Sequence, residues 1–178
     1  MRVSMSMHPV LIQNLAGIHY AVRIMIGTAL LLFIFRFLEA ASPLWAVISL
    51  IIVTEPQMRL AWLAFRSRII NTFMGSLVGL AVIAMTGPAF WPLVPAIAFT
   101  ALLSTYINKA QQGWRLAPIT TAIVLFGGMT ARSTAGAMEI ALSRSMEVFL
   151  GSAIALLVTV AMSRLWLPPE PAGETEKK

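Results

Sequence analysis

A few charged side chains set inside or against apolar stretches carry most of the chemistry open to this sequence. Arg23 stands seven residues beyond Ala16, where the first apolar stretch begins, and at 1.5 Å per residue that places it roughly 10 Å deep in a membrane helix. A guanidinium remains charged at physiological pH and presents a planar fork of donors suited to a carboxylate. At that depth it is a pathway candidate by default; a side chain snorkelling to the headgroups is the competing account. Arg68 and Arg144 each open an apolar stretch, and standing at opposite mouths they would form an anion funnel from either side. Snorkelling and bracketing of the helix are again the competing roles. Glu55 closes a short run, where its carboxylate either takes up a proton in a vestibule or pairs with Arg59 or Arg68. Glu147 follows Arg144 by three residues and reads as its structural ion-pair partner. Thr120 and Thr121, following Pro118, offer hydroxyls to a pore or to their own backbone. Arg23, Glu55, Arg68, Thr121 and Arg144 are therefore the expected pathway residues.

Other chemistries find little to build on. The chain has no Cys, which removes disulfides, thiol catalysis and Cys-ligated metal. Its two histidines are His8, in a polar stretch, and His19; no metal site or other cofactor is expected from them. No nucleophile motif surrounds the serines, so no enzyme is expected. The formal net charge of +6 would raise nucleic-acid binding in a soluble chain. Here Lys and Arg sit at the ends of apolar runs and read as topology signals, so no nucleic-acid partner is expected.

The elements that must hold these residues are membrane helices. The sequence is 58% apolar and 11% charged, with long runs that lack the polar alternation of a water-facing surface. The expected fold is an all-α integral membrane protein with the lipid bilayer as its partner, since open strands would leave backbone groups unpaired in lipid. The first run is too long for a cleaved signal, and apolar spans continue after it. Charges and Pro/Gly breaks divide the chain into six transmembrane segments: 16–38, 43–55, 67–86, 91–108, 115–131 and 141–165. A cytoplasmic N-terminal segment over 1–15 and a disordered cytoplasmic tail over 167–178 would flank a domain over 16–166. With the N-terminus inside, nine basic residues are cytoplasmic against Arg36, Arg132 and Arg144 outside, and the positive-inside rule favours both termini in the cytoplasm. Trp45, Trp91, Trp114 and Trp166 fall near predicted interfaces and read as aromatic-belt anchors.

Two parts of the chain look alike. Arg68 precedes Gly75-Ser76 and Gly79 at the spacing with which Arg144 precedes Gly151-Ser152 and Ala155. Gly75, Gly79, Gly151 and Ala155 are expected to allow close helix packing. Each motif follows a short uncharged run, 15 residues from Ala40 to Thr54 and 16 from Leu116 to Ala131. The similar units are three spans apart and would run in opposite directions, a 3+3 inverted repeat with short second and fifth helices broken at Glu55-Pro56 and Gly127-Gly128. Such paired broken helices point to a substrate pathway.

The stretch from Trp45 through Ala-Val-Ile-Ser-Leu-Ile-Ile-Val-Thr to Glu55-Pro56, with Arg68-Ile-Ile-Asn-Thr-Phe-Met-Gly75-Ser-Leu-Val-Gly79 after a basic linker, resembles the signature of the fusaric acid resistance (FUSC) and aromatic acid exporter superfamily. The plant aluminium-activated malate transporters belong to the same broad group. In that pattern a Trp opens the short second helix, a Glu-Pro or Gln-Pro closes it, and an Arg with a Gly-Ser or Gly-Thr seven residues later begins the third. The resemblance covers most of residues 15–166. It implies an inner-membrane or plasma-membrane protein that exports or conducts organic, including aromatic, carboxylate anions, working as a homodimer like the six-helix plant channels. A non-transporting membrane subunit that needs a partner protein is the other reading, favoured by the small size and bare loops.

Overall fold

The structure, a computed structural model, describes residues 9–38, 43–107 and 113–165. His8, Lys109, Trp166, the tail over 167–178 and most of the segment over 1–15 lie outside the described residues. Among the described residues every element is helical: α1 (Pro9–Leu38), α2 (Leu44–Val53), α3 (Met58–Thr86), α4 (Leu93–Ile107), α5 (Leu116–Ala131) and α6 (Thr134–Leu165), with a 3-10 turn at Gly113–Arg115 before α5. Helices α1, α3 and α6 are long and apolar enough to cross a membrane. The other three have 10, 15 and 16 residues, or about 15, 22 and 24 Å of helix, short of a hydrocarbon core of about 30 Å.

Several boundaries differ from the expected ones. Helix α3 starts at Met58 rather than at 67, and α6 at Thr134 rather than at 141. Arg59, Arg66 and Glu139 mark where an apolar stretch ends, but a charge does not break a helix, and neither extension contains a proline. Gly127-Gly128 is not a break either, because α5 runs unbroken to Ala131. Those glycines make room: a Cβ at Gly128 would strike Ile83 and Ala137, and one at Gly127 would strike Ile140. At the expected break of Glu55-Pro56 α2 does end, and α3 ends at Gly87-Pro88, between the expected third and fourth segments. Gly87 there takes φ 71°, a left-handed value that a side chain rarely adopts.

Burial departs from that of a water-soluble bundle, with large apolar side chains on the surface and many polar ones inside beside the apolar core. Phe33, Phe37, Phe73, Met85 and Phe90 are exposed, while Ser49, Asn71, Thr100, Ser104, Thr121, Ser152 and Thr159 are fully buried. The interior hydroxyls and amide bond across helices or back to their own turn. Asn71 donates to the carbonyl and hydroxyl of Ser67 at 2.7 and 3.1 Å and accepts from Ser104 at 2.9 Å, tying α4 to α3. Without a hydrophobic drive between helices in lipid, such bonds and close van der Waals packing hold the bundle.

Helix α3 lies along α5, α6 lies along α2, and the two long helices α3 and α6 also pack on each other. A Cβ at Gly75 would strike the Ala117 carbonyl, and one at Gly79 would come within 2.9 Å of Val124. A Cβ at Gly151 would strike the carbonyl of Ala46, and Ala155 is buried with Leu31, Leu50 and Val53. All four expected packing positions thus stand at helix contacts. Because Gly151 faces backbone that cannot yield, Gly151→Ala is expected to destabilise the protein by about 1–3 kcal/mol. The control, Gly17→Ala, meets open space and should leave the melting temperature in detergent unchanged.

Candidate functional site

Helix α2 has only ten residues, and its ends are met by charges from other helices. Pro43, at its N-cap, offers no side-chain bond. Instead the Glu147 carboxylate on α6 stands against the backbone of Trp45 in the first turn of α2. At the other end, Arg23 on α1 donates to the carbonyls of Glu55 and Pro56 at 2.9 and 3.2 Å. A negative charge at the N-terminus and a positive one at the C-terminus both complement the helix dipole. Thr54 closes the last turn by donating its hydroxyl to Leu50 at 2.7 Å.

Arg68 and Arg144 meet in one narrow cleft between α2, α3, α5 and α6, with Trp45, Thr72, Ile119 and Thr120 among its walls. It encloses about 10 Å³, room for roughly one water. The Arg68 Nε donates to Ser49 at 3.3 Å. The Arg144 guanidinium lies 4.7 Å over the Trp45 ring and donates to Glu147 at 3.2 Å. Ser49 and Trp45 are one turn apart on α2, so the two guanidiniums attach about 6 Å apart along that helix. The expected funnel with one arginine at each mouth is therefore not what forms. Arg68 is ten residues from Met58 and Arg144 ten from Thr134, so each is carried about 15 Å along its helix before it reaches the shared cleft.

The charge is poorly compensated. Arg68 is 4% exposed and has no carboxylate partner among the described residues. The Thr72 hydroxyl and the Arg144 Nε are buried without a hydrogen-bond partner among the described residues. A cluster of two guanidiniums, one carboxylate and unused donors can bind an anion, and a single carboxylate matches the arginine fork.

The remaining expected residues lie elsewhere. Arg23 caps α2 and does not line the cleft. Glu55 is half-buried in the α2–α3 turn, where its backbone accepts from Arg23, and its side chain forms no ion pair with Arg59 or Arg68 among the described residues. The Thr121 hydroxyl lies within 3.0–3.2 Å of the Gly75 carbonyl, the Thr100 hydroxyl and the Ala117 carbonyl, at the junction of α3, α4 and α5. Its neighbour Thr120 faces the cleft instead. Glu147 does form the expected ion pair with Arg144. Trp45, expected at the membrane interface, stacks beneath Arg144. Thr72 escaped the sequence reading, although its position four residues after Arg68 puts it on the same helix face.

Because Arg23 satisfies two carbonyls, Arg23→Ala is expected to destabilise the fold by about 1.5–3 kcal/mol, the range for hydrogen bonds to a charged group. Hydrogen exchange should show lost protection concentrated at the end of α2, with Arg23→Lys restoring part of it.

The family model described as fusaric acid resistance protein-like matches residues 28–158, a segment that contains α2 through α5, the greater part of α6 and every residue of the cleft. No match was found among curated proteins or among solved structures. The long apolar helices, the exposed apolar surface and a match over more than half of the sequence agree: this is a membrane protein with a transport-related role, and the chain belongs to the fusaric acid resistance protein-like family.

Proposed function

We propose that the protein moves organic carboxylate anions, aromatic ones included, across the membrane through the cleft between α2, α3, α5 and α6. The observation that carries this reading is Arg68: a guanidinium 4% exposed in an apolar helix, with no carboxylate partner among the described residues, on the same cleft as Arg144. A buried charge without a partner costs several kcal/mol, and a bound anion offsets that cost. Trp45 adds an aromatic wall on which a ring can stack. The cleft holds about one water as it stands, so passage of an organic acid requires the helices around it to separate.

The same reading takes the chain as a six-span 3+3 inverted repeat. Its support is a correspondence of contacts. Gly75 of α3 packs on Ala117 of α5, and Gly151 of α6 packs on Ala46 of α2. Three residues after each alanine comes a hydroxyl beside the cleft arginines: Thr120, which lines the cleft, and Ser49, which holds Arg68. The charge distribution supports an inner-membrane orientation with both termini cytoplasmic, and the likeness to six-helix plant channels supports a homodimer.

The test is uptake of labelled aromatic and dicarboxylic acids by liposomes carrying the purified protein, with and without a proton gradient. Wild type should carry flux that falls at least tenfold in Arg68→Ala and returns in part with Arg68→Lys. Folded wild-type protein that moved none of these acids would overturn the reading.

A further inference from the structure

Of the three acidic side chains among the described residues, Glu55, Glu139 and Glu147, only Glu147 forms an ion pair, and its partner is a cleft arginine. It already occupies part of the donor fork that an anion in the cleft would use. Its carboxylate accepts from Arg144 at 3.2 Å and lies against the Trp45 backbone, so it stands behind the cleft arginine as a built-in counter-ion. What it leaves over are the Arg144 Nε and the Thr72 hydroxyl, both buried without a partner among the described residues, together with Arg68. A second carboxylate bound to those donors would stand beside the first, and two carboxylates sharing one site disfavour each other's charge. Uptake of one proton removes the conflict.

We propose that Glu147 is a proton site of this cleft: an organic carboxylate and a proton bind together, the anion to Arg144 and Arg68 and the proton to Glu147. This rests on the cleft being the anion site. One proton from solvent bonds to a Glu147 carboxylate oxygen, and no other covalent bond changes. Arg144 then passes from its internal counter-ion to the substrate. Anion and proton thereby raise each other's affinity by the same factor, and they travel in the same direction.

The surroundings single out Glu147. From its own helix it faces Arg144, with Glu139 two turns further back; from α3 the cleft receives Arg68. Helices α2 and α5 carry no titratable side chain. On α1, Tyr20 bonds to Ile51 and Arg23 to Glu55, at the far end of α2, His19 is next to Tyr20 in sequence, and Arg36 is exposed.

The experiment is calorimetric titration of benzoate into the full-length protein in nanodiscs between pH 6 and 8, in two buffers of different ionisation enthalpy. Benzoate stays ionised throughout this range, so protons taken up belong to the protein. Wild type should take up close to one proton per benzoate, its affinity weakening by up to about tenfold per pH unit. Glu147→Gln keeps the size of the side chain and discards the charge. It should bind at every pH in this range at least as tightly as wild type at pH 6, with no proton uptake, while Glu147→Asp should keep the linkage. Proton uptake that persists in Glu147→Gln overturns the inference, and should that variant fail to fold, Glu147→Asp decides by shifting the pH range of the uptake from that of wild type. Benzoate binding that is lost in Arg68→Ala but takes up no proton in wild type overturns this inference and leaves the cleft as the anion site. Absence of benzoate binding to folded wild type overturns both.

Discussion

A ten-residue helix too short to cross a bilayer leaves free N–H groups at one end and free carbonyls at the other, and lipid offers them no water. The other helices are organised around that constraint. Glu147 reaches from α6 to the N-terminus of α2, and Arg23 reaches from α1 to the turn that ends it. Each charge is buried at a cost, and each recovers part of it from backbone dipoles of the complementary sign. Helix α2 is thus held in the bundle by two neighbours that are far from it in sequence.

The close contacts follow from the same economy of space. In lipid the association of helices gains little from apolar area, so it depends on backbones that approach closely and on hydroxyls that bond between them. Gly75 and Gly151 let α3 and α6 rest directly on the backbones of α5 and α2. That approach also sets where the arginines lie. Arg68 and Arg144 each come seven residues before a packing glycine, so both are delivered to the space where the short helices begin. The cleft is a consequence of the packing, and its positive charge comes from the residues that the packing brings there.

Much of this was legible in the sequence. Apolar runs bounded by charge revealed a membrane bundle, and repeated Arg-to-Gly spacing singled out the two arginines and the positions of closest packing. The Arg144–Glu147 pair was legible because both partners lie on one helix three residues apart. Boundaries were less legible, because charge marks the edge of an apolar stretch whereas α2 and α3 end before Pro56 and at Gly87, and α5 ends at Arg132 in the left-handed conformation. Gly127-Gly128 shows a further limit, since a glycine pair that reads as a break serves as a recess for Ile83, Ala137 and Ile140.

Local order along the chain thus determined the solvent of this protein, its helical class, its family signature and the charged residues available to it. Tertiary structure decided their roles. Arg23 has the depth and charge of a pathway residue, yet carbonyls from α2 and the turn after it claim its guanidinium. Thr120 and Thr121 are neighbours of one type, and the 100° between successive helix positions turns one to the cleft and the other to the junction with α4. Arg68 and Arg144 are 76 residues apart in sequence and share a single cleft. Such outcomes depend on which helix lies against which, and in a bilayer that choice rests on backbone contacts and buried polar partners distant in the chain, which no local pattern encodes.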